Sequence, residues 1–375
     1  MANWGWLLSD AILQIEGAKQ PEPAKVRDYF VTTIGGLEDV ALRDLKAHLK
    51  SFELIRVEPG RRSGRILFRY DRSPARLLEL RSVENLYVLL GDVVGITPGR
   101  PGLLRAAKQV ASCNLAPGVA LHDKMHGTKT EHGFHLTCTV GKDHRFSASE
   151  MYQVLDTVLS TKYEVYADDV SVPYRLHFRT GRKRGLFGLQ LSKSRLGDRP
   201  YRATKSPNDL EASIAYAMAV LGNVQPRDVC LDPFCKDAIP IIEASLGFGP
   251  SRLICSSPRG KLSDQAKANL EAAGLRAQYV GWRDQVMELP DGSVDKIITD
   301  LRTSEGNSSS GTITGQLFSE FARVLKPRRR AILFTEDEDG VQDALSNSGG
   351  RLGIQRRLRI NLRGLRPSIF VMKRL

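Results

Sequence analysis

The stretch Val229-Cys230-Leu231-Asp232-Pro233-Phe234-Cys235-Lys236-Asp237-Ala238-Ile239-Pro240 decides the fold. A short apolar run ends on an acid, a proline breaks it, and helical spacing follows from Ala238 to Leu246. The exchange recurs downstream. Arg252 to Cys255 predicts a second strand, and Ser263 to Ala273 a helix that stops at Gly274. Lys296 to Asp300, Ala331 to Thr335 and Ile369 to Met372 predict further strands, with a helix over Gly315 to Val324. Strands alternating with helices imply a parallel sheet with crossovers, so the chain from about Pro207 reads as an α/β, Rossmann-like domain. Ligands of such sheets bind beyond the carboxyl ends of the strands, where strand order reverses. Two segments reach that edge: Asp232 to Pro240, and Thr299-Asp300-Leu301-Arg302-Thr303-Ser304-Glu305-Gly306. An acid ending a buried strand is costly without a partner or ligand, which singles out Asp232 and Asp300. Capping the following turn is the alternative use of each.

Toward the N-terminus the pattern changes. Residues 1 to 24 have helical apolar spacing broken at Pro21-Glu22-Pro23, which predicts a helix and linker over 1–25. Tyr29 to Thr33 reads as a strand, followed by Gly35-Gly36 and a helix from Leu37 to Lys50 whose buried face is Leu37, Val40, Ala41, Leu45 and Leu49. Phe52 to Val57 and Arg65 to Tyr70 alternate as strands around Pro59-Gly60-Arg61-Arg62-Ser63-Gly64, and a helix is expected over Pro74 to Arg81. A second α+β unit holds a helix near Leu103 to Ala111, a strand over 134–140, a helix near Ser149 to Ser160, and a strand pair, Tyr174 to Phe178 with Leu186 to Leu191. The tip of that pair, Gly181-Arg182-Lys183-Arg184-Gly185, carries three adjacent cations: a solvated turn or a phosphate contact.

Composition narrows the partners. The 375 residues suffice for two or three domains, and 55 Lys and Arg against 42 Asp and Glu leave a net charge of +13. The excess is +8 over residues 1–200 and +5 over the remainder, so it belongs to no single tail. A basic chain of this kind suits a polyanion, with nucleic acid as the expected partner. No apolar stretch approaches the roughly 18 residues of a membrane span, so no membrane partner is expected. The apolar run of the opening segment stops at Asp10 and lacks a basic leader, from which the expected compartment is the cytoplasm, or the nucleus. Cys113, Cys138, Cys230, Cys235 and Cys255 have no Cys-x-x-Cys spacing, indicating neither a disulfide framework nor a zinc ribbon. His122, His126, His132, His135 and Cys138 crowd together, but strand alternation turns Cys138 to the core and His135 away from it, so no metal is expected. No Gly-x-Gly-x-x-Gly follows a strand, which excludes a nicotinamide-dinucleotide enzyme.

Several segments, in order, carry a family likeness: Gly141-Lys142-Asp143-His144-Arg145-Phe146-Ser147; Gly188-Leu189-Gln190-Leu191-Ser192; the linker Arg199-Pro200-Tyr201-Arg202; Asp232-Pro233-Phe234-Cys235 with Ala238-Ile239-Pro240; Asn269 with Ala273-Gly274-Leu275; and Asn361-Leu362-Arg363-Gly364-Leu365-Arg366. Over roughly residues 26 to 375 the chain resembles the THUMP-domain RNA methyltransferases. The resemblance implies a ferredoxin-like domain over 26–98, a THUMP RNA-binding domain over 99–198, and a class I S-adenosylmethionine (SAM) domain over 199–375. It implies methylation of guanine N2 in tRNA, with SAM as cofactor and structured RNA as partner. By the same likeness Asp232, Phe234, Cys235 and Asp284 are cofactor-side positions, and Asp300 orients the exocyclic amine of the base. The RNA contacts would be Lys142, His144, Arg145, Arg182, Lys183, Arg184, Arg199 and Arg202, with Arg356, Arg357 and Arg359 as an alternative groove. Family precedent also allows a small activator subunit.

The chain departs from the family pattern at that same edge. The family follows Asp-Pro-Phe-Cys with Gly-x-Gly, because glycine lets the backbone approach the cofactor; here Lys236-Asp237 stands instead. Cys255-Ser256-Ser257-Pro258-Arg259 lacks the acid that would accept from the ribose hydroxyls. Asp300-Leu301 matches the family's Asp-Leu-Pro-Phe-Gly, but Arg302, Thr303 and Ser304 replace the proline, the stacking aromatic and the glycine. Two functions remain open: a methyltransferase working by positioning and electrostatics without a protein nucleophile, or an RNA-binding pseudoenzyme.

Overall fold

The computed structural model describes residues 28–127, 133–166, 172–181, 183–203, 209–302, 313–362 and 364–375. The helix and linker expected over 1–25 therefore lie outside the described residues, as do His132, Arg182, Thr303 to Gly306 and Arg363.

The leading half is built on one sheet. Its elements are β1 (Asp28–Ile34), α1 (Glu38–His48), β2 (Phe52–Glu58), β3 (Ser63–Tyr70), β4 (Asn85–Val94), α2 (Arg100–Ala111), α3 (Ala116–His126), β5 (Phe134–Thr139), α4 (Ala148–Ser160), β6 (Val165–Tyr166), β7 (Tyr174–Thr180) and β8 (Arg184–Gln190). The strand order is β2-β3-β1-β4-β8-β7-β5-β6. The first four strands have the ferredoxin-like order, and β4 joins them to the second unit by pairing with β8, so the boundary expected at 98–99 follows a strand that both units share. The helix expected over Pro74 to Arg81 forms as a 3-10 turn, Pro74–Glu79, with proline at its start. Alternate strand residues such as Tyr29, Val31, Ile66, Phe68, Phe187 and Leu189 pack under the helices. The ten-residue β4 shifts register between Leu89 and Gly91. On the adjoining strands β3, β1, β4 and β8, Leu67, Phe30, Tyr87 and Leu186 form a smaller apolar cluster of their own. α4 starts on a capping box, in which the Ser147 hydroxyl accepts from the Glu150 N–H and the Glu150 carboxylate from the Ser147 N–H.

The second half has α5 (Ala212–Gly222), β9 (Val229–Asp232), α6 (Ile239–Phe248), β10 (Arg252–Ser256), α7 (Asp264–Ala272), β11 (Gln278–Val280), β12 (Trp282–Arg283), β13 (Val286–Met287), β14 (Val294–Asp300), α8 (Gly315–Val324), β15 (Leu325–Thr335), α9 (Glu338–Ser346), β16 (Leu352–Arg359) and β17 (Ser368–Arg374). Its seven-stranded sheet runs β11-β10-β9-β14-β15-β17-β16. Every strand pairs in parallel except β17, which is antiparallel to both neighbours. β14 is buried along its whole length and β9 over all but its first residue, and the charged Asp295 and Lys296 of β14 are paired with Lys326 and Asp228. Strand order reverses between β9 and β14, which places the loops after Asp232 and Asp300 side by side at the switch point.

The halves share a core. Ile34, Leu37 and Val40 pack with Leu210, Ile214, Met218 and Ile360. A polar joint completes the contact. The Glu243 carboxylate, fully buried on α6, accepts from Arg81 Nε at 2.9 Å and Nη2 at 2.7 Å, from Arg199 Nε at 3.0 Å and from the Tyr201 hydroxyl at 2.7 Å. On α1, Asp44 accepts from the Tyr216 hydroxyl at 2.7 Å and from Ser82. Such groups resist burial unless paired.

Candidate functional site

The carboxyl edge of the seven-stranded sheet is closed by its own side chains. Asp232 Oδ1 accepts from the N–H groups of Phe234 (3.2 Å) and Cys235 (3.1 Å) and from the Thr299 hydroxyl (2.7 Å), the turn-capping use of this acid. Burial pushes its carboxyl up to about 6, against those hydrogen bonds. Asp237 is buried as well, and its carboxyl rises to about 7 through desolvation, although it accepts from Ile239 N–H at 3.0 Å; the nearby Asp300 and Asp232 add to the rise. Asn269 of α7 holds the loop from outside, donating to the Asp237 carbonyl at 2.9 Å and accepting from the Ala203 N–H at 3.0 Å.

Asp300 is held by a cation of its own segment. Arg302 donates Nε to Oδ1 at 2.9 Å and Nη2 to Oδ2 at 2.7 Å, while its guanidinium lies 4.8 Å over the Phe334 ring. Lys236 Nζ donates to the Arg302 carbonyl, bolting the β9 loop to the β14 loop across the switch point. Trp282 Nε1 donates to the Pro233 carbonyl at 3.2 Å, and its ring lies 5.9 Å from that of Phe234.

The residues present do not reproduce a SAM seat. The turn opening α6 carries Ala238 at φ 61°, a left-handed position where glycine avoids a β-carbon clash. The Lys236–Arg302 bridge links the two loops that would flank the cofactor. At the end of β10 no carboxylate is available: Ser256 donates to the Val280 carbonyl at 2.7 Å, and Cys255 is engaged with Cys235. Cys235 of the β9 loop and Cys255 of β10 meet sulfur to sulfur, with Cα atoms 5.5 Å apart, a contact that the lack of Cys-x-x-Cys spacing did not announce. Residues 20 positions apart become neighbours because β9 and β10 pair with Cys255 opposite Asp232. Asp284 directly follows β12, in the two-residue turn to β13, exposed, at φ 49°.

The expected RNA contacts divide. Lys142, Arg145, Lys183 and Arg184 are exposed, and the two turns that bear them meet: His144 Nε2 hydrogen-bonds the Gly181 carbonyl at 2.7 Å, and Gly141 N–H donates to the Thr180 hydroxyl at 2.9 Å. His144 is thus a half-buried strut, and Arg184 shares Asp92 at 3.1 Å. Arg199 and Arg202 are corrections. Arg199 is buried against Glu243 and donates to the carbonyls of Leu196 and Arg81, while Arg202 pairs with Asp209 at 3.1 Å, each with under a tenth of its side chain exposed. Arg199 ties the linker to the first half, Arg202 is paired within the second, and neither guanidinium is presented to a ligand. Arg357 and Arg359 pair with Glu338 at 3.0 Å. Among the described residues no group of three or more His, Cys, Asp or Glu is arranged to hold a metal, and Leu136 and Cys138 share the core-facing side of β5 as alternation predicts. No helix among them is long and apolar enough to cross a membrane. Sequence reading missed Trp282, Asp237 as a buried acid, and Glu243; a lone acid in the apolar run Ile239 to Ala244 was the available signal for the last.

The strand order and the switch-point site define a class I methyltransferase-type domain joined to an α+β module. Residues 199–365 match the family described as RMKL-like, methyltransferase domain. The tRNA (guanine(6)-N(2))-methyltransferase THUMP3 of Bos taurus is 26% identical over 64% of this chain and 51% of its own length. The U6 snRNA (guanine-N(2))-methyltransferase THUMPD2 of Bos taurus is 25% identical over 51% of this chain and 38% of its own. This chain thus spans about half or less of the length of these relatives. Among solved structures, TrmN from Thermus thermophilus superposes with a TM-score of 0.74 at 20% identity, covering 93% of this chain and 99% of that one. SMU.472, complexed with SAH, gives a TM-score of 0.66 at 14% identity over 92% and 97%. Residues 199–365 thus carry a methyltransferase domain of the RMKL-like kind, and the chain as a whole is similar to the THUMP-type RNA methyltransferases.

Proposed function

We propose that this chain is a tRNA-binding member of the family whose second domain acts as scaffold or partner surface, without methyl transfer by the chain alone. The observation that carries this reading is the Lys236–Arg302–Asp300 bridge: the two loops that would admit cofactor and base are tied to each other, and the acid that would orient the base amine is neutralised by its neighbour. The cations of the two meeting turns, Lys142, Arg145, Lys183 and Arg184, supply the RNA-binding surface, and contacts of this kind read phosphate rather than sequence. The relatives' substrates, a tRNA and a U6 snRNA, favour structured RNA as the ligand class. The cytoplasm or the nucleus is the compartment that follows, with no membrane partner.

A second reading, an active tRNA (guanine-N2)-methyltransferase completed by a small activator subunit, draws on the complete class I strand order and on Asp300 at the switch point. Were SAM bound, it would supply the transferable methyl group. Calorimetric titration of the full chain with SAM and with SAH, beside retention of an unmodified tRNA transcript, decides between the two. No heat at millimolar cofactor with tRNA retained is the expected result; micromolar cofactor binding overturns it in favour of the enzyme.

A further inference from the structure

The turn Pro59-Gly60-Arg61-Arg62 between β2 and β3 belongs to neither the THUMP turns nor the switch-point pocket, yet it touches the surroundings of both. On one side, Arg179 of β7 donates Nη2 to the Ser63 carbonyl at 3.0 Å, and Arg65 donates Nη1 to the Arg179 carbonyl at 3.3 Å. That contact sets the turn beside the tip at Gly181 to Arg184, which His144 ties to the turn bearing Lys142 and Arg145. On the other side, Gly35 N–H donates to the Arg62 carbonyl at 3.2 Å and the Gly35 carbonyl accepts from Asn361 N–H at 3.0 Å, just past the end of β16. Glycine is required at this pinch. A β-carbon on Gly35 would stand 2.4 Å from the Gly60 carbonyl oxygen, and one on Gly36, at φ 98°, would stand 2.3 Å from that of Arg359. Glu38 fixes the turn further, accepting from Gly36 N–H at 2.9 Å and Gly60 N–H at 3.2 Å.

The backbone of this turn is therefore held rigidly, while its two guanidiniums are exposed and form no ion pair among the described residues. The end of β16 and Asp300 lie at the same edge of the seven-stranded sheet, three strand spacings or roughly 14 Å apart. We propose that Arg61 and Arg62 form a phosphate-binding station for structured RNA, linking the cations of the THUMP turns to the carboxyl edge of the methyltransferase-type domain. The station rests on the RNA-binding reading above and adds to it a path for the nucleic acid. Exposed, planar and multiply donating, the two guanidiniums suit a phosphodiester backbone, while the acids around them are engaged elsewhere: Glu38 with the backbone of the turn, Glu58 with Arg56 and Arg65, Asp92 with Arg56 and Arg184, and Glu338 with Arg357 and Arg359.

The test is filter binding of an unmodified tRNA transcript across a salt series, with R61A/R62A, R61K/R62K and K142A/R145A compared with the unaltered chain. Because both side chains are exposed on a turn held by its backbone, R61A/R62A is expected to keep its thermal midpoint. It should weaken tRNA binding about tenfold at moderate salt and flatten the slope of log affinity against log salt by roughly two, alike for unrelated structured RNAs. R61K/R62K, which keeps charge, should retain most of the slope. Unchanged affinity and slope in R61A/R62A, while K142A/R145A weakens binding, overturns the station and leaves the RNA-binding reading standing. Failure of the unaltered chain to retain tRNA overturns both, and polyglutamate competing as well as RNA overturns the assignment to RNA.

Discussion

Two fully buried carboxylates of the second half, Glu243 in the joint and Asp232 at the carboxyl edge, have opposite surroundings. Glu243 accepts from the Arg81 guanidinium of the first half and from the Arg199 guanidinium and Tyr201 phenol of the linker. Asp232 accepts only from N–H groups of its own turn and one hydroxyl, and its carboxyl is pushed up to about 6 by burial. The difference teaches that burial alone assigns no role to an acid. Partner chemistry does: Glu243 binds three segments into one body, while Asp232 shapes a loop. The joint is furnished by three segments, and the edge by its own residues.

Breaking the joint should have the largest effect. Glu243→Ala leaves Arg81 and Arg199 without their carboxylate, at an expected cost of about 3–5 kcal/mol in urea unfolding. Glu243→Gln should recover part of it. A cost under about 1 kcal/mol would mean the joint is no better built than the edge, and the comparison would fail.

The edge should respond to pH. Unfolded, Asp237 ionises near 3.8; folded, near about 7. Between those values the native state holds a proton that the unfolded chain has released, so this contribution is fully present below about pH 4, is lost as pH rises through about 7, and is flat above. Unfolding free energies at pH 5 and pH 8 should show the unaltered chain losing about 2 kcal/mol more than Asp237→Asn over that interval. Equal losses would remove the buried acid from the account.

The smallest effect sharpens the view that the edge retains a glycine-type backbone filled with other residues. Ala238→Gly should raise stability by about 0.5–1 kcal/mol, because the left-handed position then carries no β-carbon, less the entropy that glycine adds to the unfolded chain. A loss instead would show that the Ala238 side chain packs usefully at the start of α6.

Much of the fold was legible. Apolar runs ending on Asp232 and Asp300 marked the parallel strands, and Leu37, Val40, Ala41 and Leu45 marked the buried face of α1, because 2-residue and 3.6-residue periods survive in a single sequence. β4 escaped, since Asn85 to Val94 alternates poorly where a register shift at Gly91 turns the sheet. At the site, the missing glycines and the missing ribose acid were readable as residue types. The arginines were not: Arg199 and Arg202 look like any basic linker, and only the approach of Glu243 and Asp209 turns them inward.

The sequence by itself determined the alternation of strands and helices, the positive charge, and the identity of every residue at the switch point, because these are local or additive properties of the chain. Tertiary structure alone decided which cations are spent inside and which stay exposed, that Cys235 meets Cys255, and that the turn bearing Arg61 and Arg62 touches both Gly35 and the end of β7. Each of these depends on residues tens to hundreds of positions apart arriving within a few ångströms, and no local pattern encodes that distance.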